Sequence, residues 1–491
     1  MPCRQRPAGG FVAVVTKQIE AGRALADIYP ARFCTLCRKE DAMSKQRIQL
    51  SDHFTYSRLL RFVLPCIGTM LFTSIYGIVD GLCVSNFVGK TAFAAVNLIM
   101  PLPMLLGTIG FMLGTGGSAI VGITLGEGDQ KKADRYFTLF LLAALVSVSV
   151  LAVLGIVFLR PIAVLLGAKG ELLDYAVRYG RILMVSLPTF ALQNMFQSFF
   201  VTAEKPHLGF WFTVGAGCTN MVLDVLMVGV WGWGVEGAAI ATFISQLVGG
   251  VLPVFYFIDR SNTSRLHLCQ TKVYGGVLRD ACINGSSELM TNLSMSLVNI
   301  LYNYQLLRLA GENGVAAYGV IMYAAFLFVA VFVGYAVGSA PIVSFHYGAR
   351  NHAEVHNLYR KSLRLIAVVA VTLTLASMFI IPCVARVFVG YDAELLALTS
   401  RAFRLYALSF LIMGFNVYAS SFFTALGDGV TSALISFLRT LAFQVIAILL
   451  LPMLLGIDGI WLAVTAAELA ALAVSAAMLL TKDKVFHYRK A

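Results

Sequence analysis

Three polar residues lie within stretches of the sequence that are otherwise apolar. Asp80 belongs to one apolar run, and Asn220 and Asp224 lie four residues apart in another, on one face of a helix. Thr242 lies in the run that follows. Such hard oxygen ligands suit sodium, and two close carboxylates also suit a proton, because desolvation and mutual repulsion raise a carboxyl pKa. We therefore predict that these four residues bind sodium or a proton, if their helices pack in one bundle.

Asp80 shares its helical face with three further polar residues. Thr69, Thr73, Tyr76 and Asp80 follow one another at spacings of four, three and four residues, which keeps them on one side of a helix. A charge at the centre of a bilayer costs at least about 2.5–3.5 kcal/mol, so an ion site would explain Asp80. The alternative is that Asp80 lies near the outer end of its helix and is hydrated.

A second row of polar residues begins at Glu288. Asn292, Ser296, Asn299 and Asn303 follow it at helical spacing, and lipid would penalise such a stripe. We expect it to face a central cavity as a second ion or substrate site. The alternative is hydrogen bonding that holds helices together. Other residues predicted to line this cavity are Tyr76, Gln193, Gln197 and Asn416.

Arg439 and Glu468 are two more charged residues inside apolar runs. Opposite charges in neighbouring runs would neutralise each other in a medium without water. We therefore predict that they form an ion pair, with a structural role.

The composition shows which solvent surrounds these residues. Of 491 residues, 59% are hydrophobic and only 13% are charged, whereas a soluble domain carries about 25% charged residues. Lipid must therefore surround most of the chain. The net charge of +12 lies in short gaps between apolar runs, which is typical of cytoplasmic membrane loops and does not indicate a nucleic-acid partner. The sequence shows no HExxH, GxSxG or phosphate-binding glycine loop, so we expect no enzyme activity.

Twelve apolar runs are about long enough to cross a bilayer as helices. We therefore predict an all-α polytopic membrane protein with twelve transmembrane helices, numbered here as spans 1 to 12. The predicted limits are 58–83, 92–123, 137–160, 176–203, 209–231, 237–258, 277–304, 316–346, 363–389, 399–425, 430–451 and 459–480.

Lysine and arginine are about twice as frequent in alternate loops. With the N-terminus inside, the inner loops hold most of them, for example Lys131, Lys132 and Arg135. The positive-inside rule then predicts a multi-pass protein of the cell (inner) membrane, with both termini in the cytoplasm.

The sequence repeats itself at a fixed offset. Gly234-Val-Glu-Gly237 recurs as Gly456-Ile-Asp-Gly459, 222 residues later, and two other loops match at the same offset. Six spans per half mean that both halves enter the membrane from the same side. We expect two six-helix lobes related by a pseudo-two-fold axis along the membrane normal, an arrangement known from transporters.

The predicted domains follow from these spans. Residues 1–54 form a cytoplasmic N-terminal tail, of which 1–42 read as either a short basic segment or an upstream extension before Met43. An N-lobe covers 55–258, a cytoplasmic linker 259–276, a C-lobe 277–480 and a cytoplasmic tail 481–491.

The sequence resembles the multidrug and toxic compound extrusion (MATE) family over about residues 55–480, and its DinF-like branch in general pattern. The resemblance rests on Gly77-Ile-Val-Asp80-Gly81, Gly126-Glu-Gly-Asp129, Asn220-x-x-x-Asp224 and Gly234-Val-Glu-Gly-Ala-Ala-Ile-Ala-Thr242. It implies cation-coupled efflux, with the coupling ion at Asp80, Asn220, Asp224 and Thr242 and a hinge at Pro65. Glu288 matches an acidic position that NorM-like members use.

Together these observations predict a sodium- or proton-coupled antiporter that exports small organic cations by alternating access. We expect a monomer embedded in the lipid bilayer, without a cofactor. The alternative is a lipid-linked oligosaccharide flippase of the same superfamily. Flippases commonly have more spans and a basic cavity, whereas the charges inside these spans are mainly acidic.

Overall fold

The computed structural model describes residues 48–87, 90–390 and 392–488. The side chain of Asp80 lies outside this description, and so does almost all of the predicted N-terminal tail. The side chains of residues 78 and 81–87 of span 1 also lie outside it, whereas spans 5 and 6, which carry the other predicted ion ligands, are described.

The described chain is helical throughout its spans, and the predicted all-α fold of twelve transmembrane helices in two lobes is confirmed. Nine described helices are long and apolar enough to cross a membrane, and a bent pair makes a tenth. The helix Gly275–Gly348 contains two crossings, because Gly311 with φ of 62° and ψ of −151° interrupts it. Glu171–Thr202 has 32 residues but is less apolar, and supplies the remaining span.

The spans correspond to these helices in chain order. Spans 5, 6, 10 and 11 are each built from two or three consecutive pieces, and span 2 begins with a short helix. The bounds are Tyr56–Phe87 (span 1), Lys90–Ile99 and Pro101–Gly126 (2), Gln130–Leu165 (3), Glu171–Thr202 (4), Pro206–Asp224 and Val225–Val230 (5), Gly234–Gly250 and Leu252–Ile258 (6), Gly275–Gly348 (7 and 8), His352–Val389 (9), Ala393–Ala407 and Phe410–Ala425 (10), Gly429–Phe437, Leu438–Ala442 and Phe443–Leu455 (11), and Ile457–Thr481 (12), followed by Asp483–Phe486.

The internal duplication is visible in the backbone. Gly234 and Gly456 begin spans 6 and 12 with φ of 59° and 60°. Gly128 and Arg350, also 222 residues apart, have φ of 87° and 56° before spans 3 and 9. In the next positions Asp129 and Asn351 cap those two helices through their side chains. The two halves therefore use the same turns at equivalent positions.

The two lobes touch at the end of the molecule where spans 2 and 8 finish and span 7 begins. A Cβ atom on Gly285 of span 7 would lie 1.9 Å from the carbonyl oxygen of Met112 in span 2. One on Gly126 would lie 2.0 Å from the carbonyl oxygen of Phe345 in span 8. Only glycine permits backbones to approach this closely, so the lobes are in tight contact at this end.

A short segment before span 1, Leu50–Phe54, bonds to both lobes at this same end; we name it the strap. The amide of Leu50 donates to Oε1 of Glu204, between spans 4 and 5, at 2.9 Å. The amide of Phe54 donates to Oε1 of Glu354, at the start of span 9, at 2.9 Å. His53 Nδ1 lies 2.7 Å from Oε2 of Glu354. One glutamate from each lobe therefore holds the strap.

Arg265, in the segment between the lobes, makes a second connection of the same kind. Its guanidinium lies 2.5 Å from Oε1 of Glu204 and stacks over the ring of Phe345 at 4.8 Å from the ring centre. Phe345 belongs to span 8 of the second lobe, so this side chain also joins both lobes.

Replacing Arg350 by glycine is expected to stabilise the protein. Arg350 is exposed and its φ of 56° is unfavourable for a residue with a Cβ atom. We expect Arg350→Gly to raise the free energy of unfolding by about 0.5–1 kcal/mol, measured by denaturation of the purified protein. The matched variant Gly128→Ala should lower it, although a Cβ atom there meets nothing within 4 Å. A loss of stability in Arg350→Gly would contradict this explanation.

Asp428, which precedes span 11, makes a pH-dependent contribution to the stability of the folded protein. Burial acts to raise the pKa of its carboxyl, but hydrogen bonds from Lys482 and Thr431 outweigh burial and lower it; Lys482 Nζ lies 2.9 Å from Oδ2. A lowered pKa in the folded state stabilises the protein above the unfolded pKa, and that contribution is lost as pH falls through the folded pKa.

We therefore expect Asp428→Asn to cost about 1 kcal/mol at neutral pH through loss of the ion pair with Lys482, and progressively less as the pH drops below about 4. Thermal unfolding across that pH range measures the difference. Lys482→Met should reproduce the loss, while Lys484→Met, an exposed neighbour, should not. A difference between wild type and Asp428→Asn that persists at the lowest pH would show that the charge is not involved.

Candidate functional site

Asn220 and Asp224 lie one helical turn apart in span 5 and are almost completely buried. Their exposed fractions are 1% and 0%. Asn220 Nδ2 is 3.5 Å from Oγ1 of Thr242 in span 6, so spans 5 and 6 both contribute to one polar cluster. Oδ1 of Asn220 is buried and has no hydrogen-bond partner within the described chain. A buried carbonyl oxygen in this state is suited to a cation, because leaving it unbonded costs free energy.

Gly217 explains why span 1 comes close to this cluster. A Cβ atom at position 217 would lie 2.5 Å from the ring of Phe72 and 3.4 Å from that of Tyr76. Tyr76 therefore contacts span 5 about one turn before Asn220. Because spans 1 and 5 cross in the same direction, Asp80, one turn beyond Tyr76, belongs to the level of residues 220–224. The structure brings Asn220, Asp224 and Thr242 together and places Tyr76 against span 5 about one turn away. The role of the Asp80 side chain stays a prediction.

Span 5 changes from an α-helix to a π-helix directly after Asp224. Residues Val225–Val230 form a π-helix, which is wider than an α-helix and frequent at functional sites. Span 11 has a π-helical segment too, Leu438–Ala442, and Arg439 lies inside it. Sequence reasoning missed both segments, because neither composition nor periodicity distinguishes a π-helix from an α-helix.

Span 1 continues as a helix through Pro65. The carbonyl of Pro65 accepts a hydrogen bond from Thr69 Oγ1 at 2.9 Å. The predicted hinge at Pro65, where the helix would bend in another state, stays a prediction.

The polar stripe of span 7 bonds mainly along its own helix. Asn292 Nδ2 donates to the carbonyl of Glu288 at 2.9 Å, and Asn303 Nδ2 donates to the carbonyl of Asn299 at 2.9 Å. Glu288 and Asn292 are partly exposed, and Asn299 is exposed. Both bonds lie within span 7, and the role of this stripe in lining a cavity stays a prediction.

The other predicted cavity residues are more enclosed. Gln193 is 9% exposed and packs on Gly249, where a Cβ atom would lie 2.8 Å from its Cδ. Gln197 lines a small cavity together with Thr69 of span 1 and Val337 of span 8. That cavity lies between the lobes, whereas Gln193 is held inside the first lobe.

Asn416 belongs to a buried cluster in the second lobe. Its Nδ2 donates to Oε2 of Glu468 at 2.7 Å, and its Oδ1 accepts from Ser475 Oγ at 2.9 Å. Asn416 is 0% exposed, so in this structure it holds Glu468 and does not line an open surface. Nε of Arg439 lies 3.6 Å from Oε1 of Glu468, which confirms the predicted ion pair.

In the described part of the chain, no three His, Cys, Asp or Glu side chains form a group that could hold a metal ion. A sodium site of the predicted kind would instead use Asn220 and Thr242 as well as carboxylates, so it differs in composition from such a group.

Twelve helices in two duplicated lobes, with carboxylates inside the spans, define a polytopic membrane transporter and not an enzyme. The MatE family model matches residues 65–226 and 289–450, once in each half and over about two thirds of the chain. The chain belongs to the MatE family.

Relatives and solved structures agree with this assignment. The chain is 21% identical to the multidrug export protein MepA of Staphylococcus saprophyticus over 436 residues, covering 88% of this chain and 95% of MepA. It is 22% identical to MepA of Staphylococcus aureus over 433 residues, with the same coverage.

Two solved structures share the fold. A crystal structure of MATE in complex with MaL6 has a TM-score of 0.84 and 22% identity, covering 91% of this chain and 100% of the other. An outward-facing multidrug resistance MATE transporter of the MOP superfamily has a TM-score of 0.82 and 23% identity, covering 88% and 96%.

Proposed function

We propose that this protein is a sodium- or proton-coupled antiporter that exports organic cations by alternating access. The observation that carries the proposal is the buried cluster of Asn220, Asp224 and Thr242, in which Oδ1 of Asn220 has no hydrogen-bond partner within the described residues. Span 1 adds Asp80 at the same level. The coupling ion would bind here and leave again as the helices rearrange.

The cargo is inferred from charge and from the relatives. MepA proteins that match most of this chain are multidrug export proteins. The charges inside the spans of this chain are mainly acidic, including Asp80, Asp224 and Glu288, which favours a positively charged cargo. A lipid-linked oligosaccharide flippase would need a basic cavity, which the mainly acidic charges inside the spans do not favour.

Available gradients supply enough free energy for this exchange. A tenfold ion gradient supplies about 1.4 kcal/mol, and a membrane potential of 100 mV adds about 2.3 kcal/mol for each net charge moved. A one-for-one exchange of monovalent cations would move no net charge and would lose the second contribution.

The strap and the glycine contacts support an outward-facing state. The positive-inside pattern predicts that the strap end faces the cytoplasm, and the lobes touch tightly at that end. Opening toward the cytoplasm would have to separate Gly126 from Phe345 and Gly285 from Met112. It would also have to break the strap's bond to Glu204 or to Glu354, since these belong to different lobes.

Asp224→Asn is expected to abolish coupling without unfolding the protein. The amide keeps the shape of the carboxylate but cannot bind a proton and binds sodium weakly. In proteoliposomes, ion-driven export of an ethidium-like dye should fall at least about tenfold, which corresponds to about 1.4 kcal/mol. Asp80→Asn should behave in the same way.

Asp174→Asn, an exposed acidic residue at the start of span 4, is the matched control and should transport normally. Thermal unfolding checks that each variant is folded. If Asp80→Asn and Asp224→Asn both export dye at the wild-type rate under an ion gradient, the coupling site is wrong.

Removing the strap's acceptors is expected to open the strap end. Each of Glu204→Gln and Glu354→Gln weakens a charged hydrogen bond worth about 1.5–3 kcal/mol. Cys66 reports this opening, because it is 5% exposed and its Sγ would lie 3.1 Å from a Cβ atom on Gly338 of the opposite lobe. In a background with the other cysteines replaced, maleimide labelling of Cys66 should accelerate about tenfold in either variant.

Glu127→Gln, a half-exposed acidic residue of the same end, is the control and should label at the wild-type rate. Unchanged labelling of Cys66 in the double variant Glu204→Gln/Glu354→Gln would rule out the strap as a closure element.

A further inference from the structure

Arg439 is a permanent positive charge inside the second lobe. An arginine at the centre of a membrane span costs at least about 2.5–3.5 kcal/mol unless it is compensated. Its side chain is 15% exposed and lies 3.6 Å from Glu468, which is 1% exposed. Asn416 and Ser475 fix the position of Glu468 from the other side. The pair is therefore enclosed by spans 10, 11 and 12.

The repeat shows that this pair has no equivalent in the first lobe. The offset of 222 residues relates Arg439 to Gly217 and Glu468 to Gln246. Gly217 is the position at which Phe72 and Tyr76 pack against span 5. A side chain as large as arginine would displace both rings there.

The predicted ion ligands of the first lobe, in turn, are not repeated in the second lobe. Asp80, Asn220 and Asp224 correspond to Tyr302, Ala442 and Ile446. Each lobe nevertheless has a carboxylate within its last two spans. In the first lobe it is Asp224 of span 5, and in the second lobe it is Glu468 of span 12. Spans 5 and 6, residues 206–258, contain no lysine or arginine, whereas span 11 supplies Arg439.

We propose that Arg439 is a resident counter-ion that occupies, in the second lobe, the role that a mobile coupling cation has in the first. A tethered guanidinium 3.6 Å away neutralises the charge of Glu468 throughout the cycle, because it cannot leave with the solvent. The second lobe then takes up no coupling cation at Glu468, and only the first lobe exchanges one. This inference rests on the proposed function, in which the first lobe binds the coupling ion.

The number of coupling ions moved per dye molecule tests the proposal. It is measured from the reversal potential of dye export in proteoliposomes, with sodium and proton gradients varied separately. Arg439→Gln removes the counter-ion and leaves Glu468 to bind a sodium ion or a proton. We expect this variant to move one more cation per cycle than wild type.

Two variants serve as controls. Arg439→Lys keeps the charge, and Arg439→Gln/Glu468→Gln removes both charges, so both should restore the wild-type ratio. A folded Arg439→Gln variant with the wild-type ratio would overturn the proposal. So would a raised ratio that persists in the double variant, because the extra cation would then not be bound by Glu468.

A second measurement applies if Arg439→Gln does not fold. With Arg439 present, radioactive sodium binding and proton release are compared between Asp224→Asn and Asp224→Asn/Glu468→Gln. The proposal expects equal numbers of bound cations, and a cation lost only in the second variant overturns it. If Asp224→Asn itself binds and couples as wild type does, the proposed function fails separately, since that result does not involve Arg439 or Glu468.

Discussion

The cost of charge in a medium without water is the constraint on which this structure depends. Backbone groups in lipid must bond to each other, which leaves the helix as the available element for spans of this composition. The same cost applies to side chains, so each intramembrane carboxylate needs a cation or a hydrogen-bond donor. Asp224 and Glu468 show two environments in one chain: the first lies one helical turn from Asn220, which bonds to Thr242, and the second lies beside Arg439 and Asn416.

Duplication supplies the frame in which these two solutions differ. The positive-φ turns at Gly128 and Arg350 and at Gly234 and Gly456 show that both halves keep the same connections. The side chains inside the frame have diverged, with Gly217 facing Tyr76 in one half and Arg439 facing Glu468 in the other. In the proposed mechanism, two lobes enclose the cavity and only one lobe binds the coupling ion.

Closure of the strap end uses two kinds of contact with different consequences. Glycine-mediated contacts between spans 2, 7 and 8 depend on shape, and they are lost together when the lobes separate. The bonds of Leu50 and Phe54 to Glu204 and Glu354 are short and directional, and they join a flanking segment to both lobes. A lobe movement therefore requires the strap to release at least one glutamate, which links the segment before span 1 to the access cycle.

The sequence by itself determined the spans, their number and the duplication, because hydropathy and turn residues are local properties that lipid makes strict. It also placed Asn220 and Asp224 on one helical face, since that follows from a spacing of four residues. It could not show that Asn416 bonds to Glu468 and Ser475 inside the second lobe, or that Leu50 and Phe54 bond to glutamates of opposite lobes. Those contacts join residues far apart in the chain, and only the packing of the helices decides which of them meet.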